Sequence, residues 1–212
     1  LKIEEHREAK GTTMRPVLTG TQNSDPCSNG AYTAELESTL IAKSLDGDRA
    51  AYGELVCHYH SGVVNVVYRM CADAWLAQDA AQTAFIKAWE RLDKFKPGTS
   101  FRNWLYRIAV NSARDCLRRE KETVDISGLN LATRRHSPEA HTEQSERIEI
   151  VRQAVAALPE ASRAALILRE YEGLSYQEIA ETLDIPLGTV MSRLSYARKR
   201  LTETLQPYLE SI

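Results

Sequence analysis

Apolar residues recur every three or four positions along most of this chain, and apolar–polar alternation is nearly absent, so the pattern predicts helices and no sheet. A first amphipathic stretch covers about residues 35–45 and stops at Asp46-Gly47-Asp48. A longer one covers 49–70, with Tyr52, Leu55, Val56, Tyr59, Val63, Val66, Val67 and Met70 as its inward stripe. A third covers 75–92, with Ala80, Thr83, Ala84 and Trp89 on helical neighbours, and Lys96-Pro97-Gly98-Thr99 makes a loop. A fourth, 100–121, turns Phe101, Trp104, Leu105, Ile108 and Ser112 inward. Periodicity then lapses from 123 to 144, where Gly128, Asn130, Ser137, Pro138 and Glu139 mark a linker too long for a loop inside one compact domain. It resumes near Ser145 with Ile148, Val151, Val155 and Leu158, and after Pro159 with Ala164, Leu166, Ile167 and Leu168, stopping at Glu172-Gly173.

The final apolar pattern, residues 174–201, has the form of a helix-turn-helix. Ser175 and Glu178 are spaced as a capping box, in which each side chain satisfies the other's orphan backbone donor. Ile179, Ala180 and Leu183 give the first short helix an apolar face, and Pro186 ends it and suits the start of the next. Asp184 stands in the turn where glycine is preferred, and Asp tolerates a left-handed backbone better than most residues. In the second helix Leu187, Val190, Leu194, Ala197 and Leu201 point one way, while Met191, Ser192, Ser195, Tyr196 and Lys199 point the other, flanked by Arg193, Arg198 and Arg200. The expected fold class is therefore all-α: two small helical domains joined by a flexible linker, the second ending in a helix-turn-helix. Expected boundaries are a disordered tail at 1–33, a first domain at 34–122, the linker at 123–144 and a second domain at 145–206.

Charge sharpens this picture. The net charge of the 212 residues is only −2, which by itself argues against a nucleic-acid partner. Its distribution reverses that: residues 96–121 carry +5 and residues 185–201 carry +4 with no anion, leaving −11 on the remainder. Within the first basic stretch Asn103, Arg107, Asn111, Arg114 and Arg118 recur at three or four residues along one side of the helix. Arginine alternating with amide, beside the aromatics Phe95 and Tyr106, suits phosphates and exposed bases better than plain solvation would require.

Other chemistries find little support. Cys27, Cys57, Cys71 and Cys116 are too sparse for a disulfide framework. Cys57 and His60 have metal-ligand spacing, but with His58 and Cys71 they fall on or beside an apolar stripe, so neither a metal nor another cofactor is expected. No nucleophile–base arrangement, phosphate-binding glycine loop or catalytic carboxylate pair is apparent, so an enzyme is not expected. No run of eighteen apolar residues and no signal-peptide pattern occur, which points to a cytoplasmic protein. The chain begins with Leu1, which leaves a non-standard start codon and a start at Met14 both open.

Three segments in order, DAAQTAFIKAWERLDKF, FRNWLYRIAVNSARDCLRR and LPEASRAALILREYEGLSYQEIAETLDIPLGTVMSRLSYARKRL, closely resemble the extracytoplasmic-function type of bacterial RNA polymerase sigma factor, over about 35–201. The resemblance implies that the third helix docks on the clamp helices of the largest subunit of core RNA polymerase, through Asp79, Gln82 and Phe85. Acidic residues are usual where this chain has Gln78, and frequent where it has Thr83. The loop at 93–99 and the helix after it would capture and melt the minus-ten element of promoter DNA, with Lys96, Asn103, Arg107, Asn111, Arg114 and Arg118 involved. The last helix would read the minus-thirty-five element through Met191, Ser192, Arg193, Ser195, Tyr196, Arg198 and Lys199. Many relatives carry arginine at the Met191 position, so the sequence read here is expected to differ. The resemblance also implies an anti-sigma factor as regulator. The alternative, an autonomous helix-turn-helix regulator, would bind DNA without polymerase, and the chain shows neither a dimerisation seam nor a ligand-pocket signature.

Overall fold

The computed structural model describes residues 32–127 and 143–209. The expected tail and most of the expected linker, with Cys27, lie outside the described residues, which form no strand. The first half holds α1 (Ala34–Leu45), α2 (Arg49–Cys71), α3 (Ala74–Glu90), a short 3-10 turn (Leu92–Lys94) and α4 (Phe101–Ser127). All four of its helices open on side-chain caps: Thr33 accepts from the Leu36 amide, Asp48 from Ala50 and Ala51, Asp73 from Leu76, and Ser100 from Asn103. Between α2 and α3 the chain reverses through Ala72, a left-handed residue at φ 57° whose N–H closes on the Tyr68 carbonyl.

Core packing follows from residue size. Ala77, Ala80, Ala81, Ala84 and Ala88 form the buried face of α3, and side chains this small let α2 and α4 approach it closely. Leu55, Val63, Val66, Val67 and Met70 of α2, each at most 1% exposed, meet Leu105, Ala109 and Ala113 of α4. Full burial of one such aliphatic side chain is worth about 1.5–3 kcal/mol. At one end Tyr59, Phe95, Phe101 and Trp104 form a ring cluster with centroids 5.4–5.6 Å apart.

The second half holds α5 (Glu143–Ala156), α6 (Glu160–Glu170), α7 (Tyr176–Leu183) and α8 (Leu187–Leu209), around Ile167, Leu168, Leu174, Ile179, Val190, Leu194 and Ala197. Three expectations shift. α4 continues through Ser127, into the stretch expected to be linker. Leu187 opens α8 at 40% exposure, about 50° off the centre of the apolar face by helical phase. Ile148 and Val151 are 64% and 40% exposed, although they share a face of α5 with the buried Val155. That part of the face opens onto a groove of about 430 Å3, which Tyr68, Arg69 and Tyr171 help to line.

The two halves are packed together rather than separate. α2 meets α5 and α6, α4 meets α7, and the buried apolar residues of both halves form one continuous cluster. Two arginines of the second half bind the end of α2: Arg163 donates to the Met70 carbonyl at 2.5 Å, and Arg152 to the Ala72 carbonyl. Cations at a helix C-terminus satisfy its orphan carbonyls and meet the negative end of its dipole.

Candidate nucleic-acid and polymerase interfaces

The helix-turn-helix forms as its sequence predicts. The Ser175 hydroxyl accepts from the Glu178 amide at 3.2 Å, and the Glu178 carboxylate accepts from the Ser175 amide at 2.8 Å. Hydrogen bonds from the Ser175 backbone and side chain, and then from Asn103, hold the Glu178 carboxyl below the usual carboxylate range. Asp184 takes the left-handed conformation at φ 55°, ψ 54°, and the Pro186 carbonyl accepts from Thr189 and Val190 to start α8.

In α8 Val190, Leu194 and Ala197 are fully buried, which forces the intervening positions outward. Met191 and Tyr196 are 50% and 46% exposed, Ser192, Ser195 and Lys199 are exposed beside them, and Arg193 is half-buried. Ser192 Oγ donates to the Thr189 carbonyl at 3.0 Å. Arg198 is exposed but held to α6 and α7, donating to Glu170 at 2.9 Å and to the Tyr176 hydroxyl at 3.2 Å. All seven residues expected at a minus-thirty-five contact thus lie on one helix, with Arg193 the least accessible.

The α4 stripe is placed differently. Lys96, in the preceding loop, Asn111 and Arg118 are exposed, and Arg118 lies 3.5 Å from Asp115 of its own helix. Arg107 instead reaches Asp184 of the helix-turn-helix at 2.5 Å. Arg114 is half-buried, and burial followed by the neighbouring Arg193 lowers the affinity of its guanidinium for its proton. Asn103 is only 7% exposed, with no hydrogen-bond partner for its Oδ1 among the described residues.

On α3, Asp79 and Gln82 are exposed, whereas Phe85 is 9% exposed, its carbonyl accepting from the Tyr52 hydroxyl at 2.6 Å. Helical phase explains this: at 100° per residue Ile86 falls within about 20° of Asp79, while Phe85 falls roughly 120° away. Ile86, 52% exposed, is therefore the apolar residue this face presents, and Trp75, 83% exposed, extends it towards the N-terminus. Neither was singled out in the sequence, although the i, i+4, i+7, i+11 spacing of Trp75, Asp79, Gln82 and Ile86 is legible there.

Two Sigma-70 models match this chain, region 2 over residues 55–123 and region 4 over residues 148–201. The RNA polymerase sigma-H factor of Pseudomonas aeruginosa is 38% identical over 189 residues, covering 84% of this chain and 97% of that relative. The chain belongs to the extracytoplasmic-function type of RNA polymerase sigma factor. The ECF RNA polymerase sigma-E factor of Escherichia coli K12 is 35% identical over 184 residues, with 82% of this chain and 96% of that relative covered. Among solved structures, the sigma factor RpoE bound to the anti-sigma factor NepR, from Bartonella quintana, superposes with a TM-score of 0.61 at 26% identity, over 73% of this chain and 96% of that one. CnrH in complex with the cytosolic domain of CnrY shares the fold, with a TM-score of 0.63 at 24% identity, over 81% of this chain and 98% of that one.

In this sigma factor the region 2 match corresponds to α2–α4 and the region 4 match to the second half, while α1 lies outside both and still buries Leu40 and Ile41 in the core. Among the described residues no group of three His, Cys, Asp or Glu is placed to hold a metal, and no helix is long and apolar enough to cross a membrane. Cys57, His58 and His60 are exposed rather than buried, and His58 stacks on Tyr32 with ring centroids 3.4 Å apart. The Cys71 thiol is pushed up to about 12 by burial and then by Cys116, so it stays protonated and unreactive.

Proposed function

We propose that this sigma factor, acting in the cytoplasm, delivers core RNA polymerase to promoters by three separate surfaces and performs no covalent step itself. The outward face of α8, Met191, Ser192, Arg193, Ser195, Tyr196, Arg198 and Lys199, enters the major groove of the minus-thirty-five element. Lys96, Asn103, Arg107, Asn111, Arg114 and Arg118 hold the backbone and unpaired bases of the minus-ten element, so polymerase binding energy offsets the unstacking of the duplex. The exposed stripe of α3, Asp79 and Gln82 with Ile86 and Trp75 beside them, meets the clamp helices of the polymerase, and Phe85 supports that stripe from beneath. An anti-sigma factor is the regulator, as the NepR complex of a relative suggests.

The single observation that carries the reading is α8: a helix after a tight turn at Asp184, buried and apolar on one side, with exposed polar groups and cations together on the other. Run-off transcription with purified core polymerase on a promoter library is the test. We expect initiation from a defined set of fragments, lost by ~100-fold or more when Arg107, Arg114 and Arg198 are all changed to alanine, at ~1–3 kcal/mol per contact. Initiation indifferent to that triple change would overturn the proposal, as would DNA binding that needs no polymerase.

A further inference from the structure

The groove beside α5 belongs to none of the three surfaces assigned above. It lies where the halves meet: α2 contributes Tyr68 and Arg69, α5 the stretch from Arg147 to Val155, and the end of α6 contributes Tyr171. Its volume of about 430 Å3 falls within the range of small-molecule sites, ~300–1,000 Å3, which favour gaps between helices and between domains. Its apolar wall meets solvent: Ile148, Val151 and Tyr171 are all exposed, although α5 turns the same face into the core at Val155.

The rest of the lining is cationic. Arg69, Arg147 and Arg152 border the groove, and no acid does. The three are not equivalent. Arg152 is fully engaged: it donates to both Glu149 oxygens, at 2.6 and 2.7 Å, and to the Ala72 carbonyl. Arg69 is held in place without being neutralised. Its guanidinium carbon sits 4.0 Å from the centre of the Tyr171 ring, and one nitrogen donates to the Asn65 carbonyl at 3.2 Å, which leaves further N–H groups open. Arg147 is exposed, and among the described residues no hydrogen bond or carboxylate engages it. Two guanidinium groups without a counter-charge, beside an apolar wall, complement a ligand with an anionic head and an apolar body.

Size decides between a small molecule and a protein as that ligand. Eight residues line the groove, whereas a stable protein interface takes about 20–30 residues a side. Along α5 the lining runs for about 12 Å at the helical rise per residue. We propose that this groove is a binding site for a small amphipathic anion, a carboxylate or phosphate monoester on an aliphatic or aromatic body. Arg69 and Arg147 take the head, and the body lies against Tyr68, Ile148, Val151 and Tyr171. The ligand enters as a free molecule, because the apolar wall faces a groove between helices rather than a flat lipid surface. It binds the folded chain and not the unfolded one, so it raises the unfolding temperature as its concentration rises.

Isothermal titration calorimetry of the full-length chain with decyl phosphate tests this. Decanol keeps the body without the charge, inorganic phosphate keeps the head without the body, decyltrimethylammonium reverses the charge, and phosphatidylglycerol vesicles present the same chemistry as a surface. Decyl phosphate should bind as a single equivalent, about tenfold or more tightly than decanol, inorganic phosphate or decyltrimethylammonium. This series uses the wild type alone and depends on no variant. Arg147→Glu and Ile148→Glu, both at exposed positions, should each weaken decyl phosphate about tenfold. Arg49→Glu, the same charge change on an exposed arginine at the start of α2, should leave its affinity unchanged. Thermal unfolding with decyl phosphate should show a raised midpoint in the wild type and Arg49→Glu, and none in Arg147→Glu. Decanol binding as tightly as decyl phosphate, indifference to Arg147→Glu, equal loss in Arg49→Glu, uptake of many equivalents, or binding to the vesicles alone each overturns the proposal.

Discussion

The two faces expected to touch DNA are made from the same kinds of residue and are treated oppositely by the fold. On α8 the residues expected to read DNA project from a helix that buries Val190, Leu194 and Ala197 on its other side, and Met191 and Tyr196 stand about half exposed. On α4 and the loop before it half of the corresponding groups are engaged: Arg107 is paired with Asp184, Arg114 is half-buried and Asn103 is covered, while Lys96, Asn111 and Arg118 stay exposed. Helical phase places a side chain on a face, but only the neighbouring element decides whether that face meets solvent. Amphipathic spacing is therefore a reliable guide to orientation and a poor guide to availability.

The largest effect expected on this contrast comes from the joint between the halves. Arg163 is 9% exposed and donates to the carbonyls of Met70, Ala156 and Leu158. Arg163→Met leaves those acceptors unsatisfied and should lower stability by ~1–3 kcal/mol for each that water cannot reach. Differential scanning calorimetry should then show the single transition of the wild type split into two. A single transition at the wild-type temperature would mean that the joint holds by apolar packing alone.

Met191→Arg sharpens the other side of the contrast, because it changes the open face without touching the covered one. It should add a bidentate base contact and shift the preferred minus-thirty-five sequence towards one containing guanine, by ~1–3 kcal/mol of discrimination. Selection from a randomised promoter library reads this directly, and the minus-ten preference should stay unchanged.

The smallest effect belongs to the cap that sets the entry of α7. Ser175→Ala should cost ~0.5–2 kcal/mol in denaturant unfolding. Its pH dependence follows from Glu178, whose carboxyl lies below its ordinary 4.5 in the fold because the Ser175 amide and hydroxyl favour the ionised form. The folded state therefore binds that proton less readily than the unfolded chain. The stabilisation is fully present above about 4.5 and is lost as pH falls through the lower folded value. Ser175→Ala should flatten this acid limb, and unfolding curves between neutral and acidic pH measure it.

Local rules sufficed for a large part of the molecule. The three-and-four spacing of apolar residues determined the helices, the S-x-x-E capping box determined where α7 starts, and Asp184 with Pro186 determined the turn before α8, because each depends on residues only a few positions apart. The inward and outward sides of α8 followed from the same arithmetic. Long-range packing settled the rest. Phe85 faces inward and Ile86 outward because α2 covers one side of α3 and leaves the other bare. Ile148 and Val151 stay exposed on an apolar face because, among the described residues, that end of α5 opens onto a groove. Arg163 and Arg152 read as ordinary surface cations until the end of α2 is brought against them, and Asp184 reads as a turn residue until Arg107, distant in sequence, reaches it. Spacing along a chain encodes what a residue turns its back on; which partner it meets depends on segments folded from elsewhere in the sequence.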